Sequence, residues 1–223
     1  MQKENIQLIH SAFEEIGLKI SDDAFDKLVK YHDYLMKCNS IHNLTGHKDE
    51  DRSVKLNLIN SLGAFIAIQE KFNKDEINPA NLEIADIGTG AGLPGIPWSI
   101  LLPEARFFLV DSKTKKINFL SEVVEMLQLK NVTLMQINAN EIKQRFETLV
   151  FQAFGKTEKI LKVIGLCMKP GGQSFIFAAN PDKLTSELDT FEKFQNEILP
   201  FKLPHMPDYE RNLVCITRKP DEK

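Results

Sequence analysis

Apolar residues recur at every third or fourth position through the first third of the chain, which is the spacing of one buried helix face. The first such stretch contains Ile9 and Phe13, and the second starts after Ser21, a residue type favoured just before a helix. A polar segment at residues 39–46 predicts a loop before the third stretch. We therefore predict a cap of helices over residues 1–75.

The hydrophobic pattern changes over residues 76–223, where short apolar runs alternate with segments of helical periodicity. The runs predict strands at residues 82–87, 106–111, 132–137, 149–154, 174–178, 198–203 and 213–218. Helices are predicted at residues 113–127, 157–167 and 184–194, and Pro204 and Pro207 predict a long final loop. This alternation is typical of an α/β fold with a Rossmann-like, doubly wound, mostly parallel sheet, to which the last two strands would add an antiparallel edge hairpin.

Four glycines interrupt the pattern directly after the first predicted strand. A strand, a glycine-rich turn and a helix in this order build a ligand site at the carboxyl edge of a parallel sheet. Glycine suits such a turn because it adopts positive φ and has no Cβ to obstruct a ligand. The predicted ligand-binding turn contains Gly88, Gly90, Gly92 and Gly95.

The residues around this turn leave two cofactor classes open. The segment from Gly90 to Gly95 matches the dinucleotide fingerprint G-x-G-x-x-G, but the turn itself begins earlier, at Gly88. Asp86 lies two residues before Gly88, where its charge would repel a pyrophosphate and favour a cationic ligand such as S-adenosylmethionine. The alternative interpretation is that Asp86 only caps the turn through backbone hydrogen bonds.

A second acid, Asp111, ends the next predicted strand, about twenty residues beyond Gly92. An acid at that distance accepts hydrogen bonds from ribose hydroxyls in dinucleotide domains, so Asp111 indicates a nucleoside ligand without separating the two cofactors. The alternative is a capping acid ahead of the following helix. Lys113, Lys115 and Lys116 then predict either a basic lip for phosphate or a solvated helix face.

Two asparagines follow the third predicted strand, where a doubly wound sheet presents groups to an adenine. Asn138 and Asn140 could contact the base, or they could form an Asx turn. The large apolar residues Trp98 and Phe154 are predicted to belong to the core.

Composition limits the remaining possibilities. The formal net charge of −3 argues against a generally basic nucleic-acid-binding surface but not against a local basic patch. No apolar run is long enough to predict a membrane span, and the three cysteines and five histidines lack metal-ligand spacing. We expect a cytoplasmic monomer with no membrane partner and no metal site.

At three places the chain resembles the bacterial 16S rRNA (guanine-N7)-methyltransferase G family, also called glucose-inhibited division protein B. The matching stretches are IADIGTGAGLPGIP, LVDSKTKKINFL and the loop Asn43-Leu44-Thr45. The resemblance covers nearly the whole chain, including the late stretch RNLVCI. It implies a class I methyltransferase fold, S-adenosyl-L-methionine as the methyl donor, and 16S rRNA or the 30S ribosomal subunit as the partner.

The resemblance and the residue patterns together give a predicted site. Asn43, Gln152 and Arg211 are expected to be catalytic residues that face the RNA, with Lys113 beside them. The predicted cofactor-binding residues are Asp86, Gly88, Gly90, Gly92, Leu93, Asp111, Ser112, Ala139, Asn140 and Gln152.

Several positions depart from the family pattern in one chemical direction, because neutral residues replace cationic or titratable ones. These residues are Asn57, Asn60, Asn138, Gln152, Ala179 and Asn212. We hypothesise that the cofactor site survives and that RNA methylation is weakened, redirected or lost. The alternative function is a paralogue that binds S-adenosylmethionine or the ribosome without methylating that guanine. The third hypothesis, a nicotinamide-dependent dehydrogenase, is supported only by the match of residues 90–95 to the dinucleotide fingerprint.

Overall fold

Seven strands form one sheet in the computed structural model, which describes residues 1–188 and 191–220. The strands are β1 Glu83–Ile87, β2 Arg106–Asp111, β3 Val132–Gln136, β4 Phe146–Phe151, β5 Met168–Ala178, β6 Phe194–Leu203 and β7 Met206–Arg218. Their spatial order is β3-β2-β1-β4-β5-β7-β6, and β7 runs antiparallel to both of its neighbours. The predicted α/β sheet with an antiparallel edge hairpin is therefore confirmed.

The helices lie before the sheet in sequence and between its strands. They are α1 Lys3–Glu15, α2 Asp22–His42, α3 Glu50–Ser53, α4 Asn60–Lys74, α5 Gly95–Leu101, α6 Thr114–Leu127, α7 Thr157–Cys167 and α8 Pro181–Leu188. A π-helical turn, Val54–Ile59, joins α3 to α4. Short 3₁₀ turns occur at Pro79–Asn81 and Ala139–Glu141. Within the described ranges, no helix is both long and apolar enough to cross a membrane.

Two hydrophobic clusters cover the two faces of the sheet, because successive strand residues point to opposite sides. Ile84 of β1 and Leu109 of β2 belong to the cluster that includes α1, α2, α4, α5 and α6. Ala85 and Val110, their chain neighbours, belong to the cluster formed with α7 and α8. The N-terminal helices thus share a hydrophobic core with the sheet, and the division of the chain after residue 75 stays a prediction.

Helix α2 starts as predicted and ends later than predicted. The Ser21 hydroxyl accepts a hydrogen bond from the amide of Ala24 (3.2 Å), which caps the first turn. The loop predicted from residue 39 is wrong in its first half, because α2 continues to His42. The reason is Asn39, which is buried and accepts a hydrogen bond from the Thr45 amide (2.8 Å), so it fastens the following loop from inside the helix.

The C-terminal third also differs from the sequence pattern. The helix predicted to reach residue 194 ends at Leu188 in α8, and residues 189–190 of that prediction lie outside the described residues. The long loop predicted between the last strands is a tight connection through Pro204 and His205. His205 adopts a φ of 59°, which allows β6 and β7 to pair along almost their whole length.

Two buried hydrogen bonds attach the N-terminal helices to the sheet domain. The Tyr31 hydroxyl donates to the carbonyl of Ala91 in the glycine-rich turn (2.8 Å), and the Trp98 indole donates to the carbonyl of Ser61 (2.8 Å). Burial raises the pKa of Tyr31 well above its ordinary value, so the hydroxyl remains a donor. The helices are therefore positioned directly over the carboxyl edge of the sheet.

Candidate functional site

The glycine-rich turn after β1 has the backbone that its sequence predicts. Gly88, Gly90 and Gly92 adopt φ values of 76°, 60° and 88°, a region that other residue types rarely enter. The amide of Gly88 donates to the carbonyl of Val110 (2.8 Å), which anchors the turn to the end of β2. A Cβ at Gly88 would lie 2.5 Å from the Phe154 ring, so the backbone is bare where the turn meets the end of β4.

Asp86 lies behind this turn and is 1% exposed. Its Oδ2 accepts hydrogen bonds from the Thr89 hydroxyl (2.7 Å) and from the Gly95 amide at the start of α5 (3.0 Å). These contacts agree with the interpretation in which Asp86 caps the turn. Because the carboxylate lies behind the turn, it could influence a cationic cofactor only through the turn and not by direct contact. Burial raises the pKa of Asp86 to about 7, against the opposing effect of both hydrogen bonds, and the charge of Asp111 raises it further.

This raised pKa predicts how stability depends on pH. The folded protein holds a proton on Asp86 up to about pH 7, whereas the unfolded chain loses it near the ordinary value of 3.8. The stabilisation by that proton is complete below the unfolded value and is lost as the pH rises through the folded value. We expect Asp86→Asn, which cannot titrate, to remove up to about 4 kcal/mol of this dependence. Denaturant unfolding of both proteins from pH 4 to pH 8, without cofactor, measures it, and parallel stability curves would contradict it.

Asp111 lies where the sequence places it, at the carboxyl end of β2. Its Oδ2 accepts a hydrogen bond from the Gly90 amide (3.1 Å), and its Oδ1 accepts one from the Lys113 amide (2.9 Å). Each carboxylate oxygen can accept a further hydrogen bond, and the side chain is only half-buried. The geometry thus holds the carboxylate rigid and leaves it able to accept hydroxyl groups from a ligand.

A cavity of about 230 Å³ lies beside Asp111 and passes between the ends of β1, β2 and β4. Five residues that the sequence assigned to the site line this cavity, namely Gly88, Asp111, Ser112, Lys113 and Ala139. The lining also includes Asn138, Ala153, Phe154 and Lys159. We call it the smaller cavity.

Phe154 packs against the edge of the hydrophobic cluster of α7 and α8 and also forms a wall of the smaller cavity, so its assignment to the core is confirmed only in part. Its ring is half-buried, packs on Phe151 with 5.5 Å between centroids, and lies 4.2 Å from the Nζ atom of Lys159. The reason is its place one residue after Ala153, whose φ of 52° turns the chain at the end of β4. The core prediction is confirmed for Trp98, which is 3% exposed.

A larger cavity, of about 710 Å³, lies on the other side of the glycine-rich turn. The turn and the ends of β4 and β7 contribute Gly88, Gly90, Leu93, Gln152, Ala153 and Arg211 to its wall. The N-terminal helices and their loops contribute Leu44, Thr45, Gly46, His47, Arg52, Leu56, Asn57 and Asn60. Gly88 and Ala153 line both cavities, so the two cavities meet at the point where the ends of β1 and β4 lie side by side.

Four predicted site residues, among them Asp86 behind the turn, lie outside both cavity walls. Asn43 is the exposed, left-handed C-cap of α2, with a φ of 48°. Gly92 packs inward, since a Cβ there would lie 2.5 Å from Cγ1 of Ile96. The Asn140 amide donates to Oδ1 of Asn138 (3.1 Å), which is the Asx-turn arrangement. Direct cofactor or RNA contacts for these residues stay predictions.

The lysines after Asp111 do not act together. Only Lys113 lines a cavity. Lys115 and Lys116 instead donate through Nζ to the carbonyls of His42 and Leu44, at the end of α2. These contacts neutralise the negative end of the helix dipole, and burial lowers the pKa of Lys116. Lys115 and Lys116 are therefore engaged with the end of α2, and the basic lip for phosphate stays a prediction.

Two side chains that the sequence did not single out lie in the larger cavity, namely Arg52 and His47. Burial, followed by the charge of Arg52, lowers the pKa of His47, so the imidazole is neutral at neutral pH. Arg211 lines the same cavity, with its guanidinium carbon 4.5 Å from the ring centre of Tyr209. The cavity therefore contains two guanidinium groups, although Asn138 and Gln152 are uncharged. Arg52 lies in the short helix α3, whose four residues give no hydrophobic period that could have indicated this position.

Comparisons with known proteins point to one family. The family model described as GidB, rRNA small subunit methyltransferase G, matches residues 24–214. A ribosomal RNA small subunit methyltransferase G from Lachnoclostridium phytofermentans is 30% identical over 217 residues, covering 91% of this chain and 85% of that protein. Its counterpart from Hydrogenovibrio crunogenus is 31% identical over 214 residues, with 94% and 93% covered.

Solved structures show the same architecture. The crystal structure of an S-adenosylmethionine-dependent O-methyltransferase from Thermotoga maritima superimposes with a TM-score of 0.53 at 14% sequence identity, covering 72% of this chain and 66% of that one. At this identity the likeness concerns the fold alone. Together with the strand order, it confirms the predicted class I methyltransferase fold.

Proposed function

The chain belongs to the rRNA small subunit methyltransferase G family, and from this membership we propose that it methylates N7 of a guanine in 16S rRNA with S-adenosylmethionine as the methyl donor. One observation carries the proposal. Two cavities meet at Gly88 and Ala153, and one contains a ribose-type acid while the other contains two guanidinium groups. A nucleoside cofactor and an anionic substrate would thus approach each other at the end of β1.

The residues of the smaller cavity fit an adenosyl group. Asp111 offers carboxylate oxygens for two ribose hydroxyls, and Ala139 with the ring of Phe154 offers an apolar surface for an adenine. Gly88 lines both cavities and packs so closely on Phe154 that any Cβ there would collide with the ring that offers this surface. Asp86, Gly90, Gly92, Leu93, Ser112, Asn140 and Gln152 complete the proposed cofactor site.

The chemistry requires positioning more than proton transfer. When bound, S-adenosylmethionine supplies an electrophilic methyl carbon, which bonds to N7 while the electrons of the broken carbon–sulfur bond stay on sulfur. N7 of guanine has an unprotonated lone pair at neutral pH, so the residues around Gly88 and Ala153 need no general base. Their task is to hold N7 in line with the methyl carbon and to exclude water. Leu93, which is 9% exposed, helps to exclude water from that place.

The larger cavity supports an RNA substrate through its charge. Arg52 and Arg211 can contact phosphate or a base, and phosphate contacts supply much of the affinity of proteins for nucleic acids. Asn43 and Lys113, both exposed near the cavity mouths, are proposed to face the RNA as well. The uncharged residues at Asn138 and Gln152 favour a second candidate, a protein that binds cofactor or ribosome without transferring a methyl group.

Calorimetric titration with S-adenosylmethionine, followed by incubation with 30S subunits and radiolabelled cofactor, tests the proposal. We expect saturable cofactor binding and label in 16S rRNA at a guanine N7. Cofactor binding without label on the RNA would favour the second candidate. Absence of cofactor binding would contradict both, and binding of a nicotinamide cofactor instead would support the dehydrogenase alternative.

Replacement of Arg211 tests whether the larger cavity binds the RNA. We expect Arg211→Gln to reduce kcat/KM for 30S subunits on the order of tenfold to 100-fold, because a charge-assisted contact is lost. The salt dependence of RNA binding should become shallower by about one unit in the log–log plot if Arg211 contacts a phosphate. Lys30→Gln removes an exposed cation from the middle of α2 and is the matched control. An unchanged kcat/KM would refute the role of Arg211.

A further inference from the structure

Three buried polar atoms that lack hydrogen-bond partners lie around the larger cavity. Six side-chain atoms of this kind occur among residues 1–188 and 191–220. Three of them, Oδ1 of Asn60, Oε1 of Gln152 and Nε of Arg211, belong to residues that line this cavity. A buried polar atom without a partner destabilises a fold, and such atoms are rare in proteins. Their accumulation around one cavity indicates a ligand that supplies the missing partners.

Asn60 gives the strongest evidence for a ligand among the three residues, because it is only 5% exposed and yet lines the cavity. It is the first residue of α4 and directly follows the π-helical turn. That turn is held from inside, since Asn57 donates through Nδ2 to the hydroxyl of Ser53 (3.0 Å), which also bonds to His32 (3.0 Å). Single π-helical turns within α-helices often occur at functional sites.

The three atoms have a specific hydrogen-bonding pattern. The amide oxygens of Asn60 and Gln152 are acceptors, and the Nε atom of Arg211 is a donor. On its Watson–Crick edge, guanine presents two donors, N1–H and the 2-amino group, beside one acceptor, O6. Adenine presents one donor, its 6-amino group, and an acceptor at N1. The pattern of the cavity is therefore complementary to guanine and not to adenine.

We propose that Asn60 and Gln152 form a base-reading subsite that accepts hydrogen bonds from N1–H and the 2-amino group of the target guanine, while Arg211 donates to O6. This inference rests on the proposed function and extends it to the residues that select the base. Because these groups lie inside a cavity, the guanine must leave its helix or loop to reach them. Phe177 and Leu93 line the same cavity and supply apolar surface against which the base plane would pack.

The proposal predicts different effects for two replacements of Asn60. Asn60→Asp keeps an acceptor at this position and should preserve the preference for guanine. Asn60→Leu removes the acceptor at similar volume and should abolish the preference. Gln152→Met removes the second acceptor in a residue of similar shape, and it keeps the proposal testable if Asn60→Leu fails to fold.

The experiment uses the full chain and short uridine-rich RNA strands that contain a single guanosine, inosine or adenosine. Inosine keeps N1–H and O6 but lacks the 2-amino group, so it tests one hydrogen bond. Binding is measured by fluorescence anisotropy with S-adenosylhomocysteine present, which prevents turnover. We expect guanosine to bind about tenfold more tightly than inosine or adenosine in the wild type, because inosine leaves a buried acceptor unpaired. In Asn60→Leu or Gln152→Met the preference over inosine should disappear.

Two results would overturn the subsite: equal affinities for guanosine and inosine in the wild type, or an undiminished preference in both apolar variants. Label on 16S rRNA together with equal affinities would leave the proposed function standing and the subsite refuted. A preference for guanosine that Asn60→Leu removes, without label on 30S subunits, would support the subsite and contradict the proposed methylation. Affinity for S-adenosylmethionine, which Asn60→Leu should leave unchanged, reports that the variant is folded.

Discussion

Gly95→Ala is expected to destabilise the protein by about 1–3 kcal/mol and to disrupt the cofactor site. A Cβ at this position would lie 2.3 Å from Cδ2 of Leu109 and 2.8 Å from Oδ2 of Asp86. Leu109 is fully buried in β2, so neither neighbour can move without displacing the sheet or the glycine-rich turn. The new methyl group would also push the carboxylate of Asp86 away from the Gly95 amide, with which it forms a 3.0 Å hydrogen bond.

Thermal and denaturant unfolding measure this effect, and Gly165→Ala is the matched control. Gly165 lies within α7, and a Cβ there would contact no atom within 4 Å. Alanine forms helices more readily than glycine, so this variant should be more stable than the wild type by about 0.5–1 kcal/mol. If the two alanine variants changed stability equally, close packing at Gly95 would not be the cause.

Asp111→Ala is expected to weaken S-adenosylmethionine binding about 100-fold or more. Two hydrogen bonds from ribose hydroxyls to a carboxylate contribute about 1.5–3 kcal/mol each, and both are lost. The Gly90 amide also loses its acceptor, which loosens the glycine-rich turn. Asp111→Asn keeps one acceptor and should have a smaller effect, about tenfold.

Calorimetry with S-adenosylmethionine and S-adenosylhomocysteine measures this prediction. Both ligands have the same ribose, so their affinities should fall by the same factor. Asp26→Asn makes the same chemical change on the exposed face of α2 and should leave both affinities unchanged. A change of less than about threefold in Asp111→Ala would show that Asp111 serves only to cap the turn and α6.

Hydrophobic periodicity alone predicted the helices and strands whose own residues show a clear period. The strand β2 and the helix α7 have the predicted bounds, and β1 and α6 differ from them by one residue at their starts. These elements are dense in apolar residues of one period, so neighbours in sequence suffice to specify them. The glycine-rich turn and the place of Asp111 followed in the same way, because positive φ and strand ends are local properties.

The errors occur where a specific hydrogen bond, strand pairing or unusual backbone angle outweighs the hydrophobic pattern. Helix α2 extends to His42, and Asn39 within it accepts a hydrogen bond from the amide of Thr45 in the next loop, a contact that hydrophobic periodicity does not reveal. The last hairpin is tight because β6 and β7 pair on a sheet edge, although Pro204 suggested a loop. Phe154 lies only half-buried at the edge of the core because the chain turns at Ala153, a non-glycine residue with positive φ.

The sequence by itself determined the α/β class, the cofactor turn and the acid at the end of β2, since each depends on a few consecutive residues. Tertiary structure decided what surrounds them. It turned Asp86 inward to the Gly95 amide, and it gathered Arg52, Asn60 and Arg211 from three separate elements on one cavity. Spacing in sequence says nothing about such convergence, because it arises from the packing of the N-terminal helices over the carboxyl edge of the sheet, fixed by buried contacts such as that of Tyr31 with Ala91.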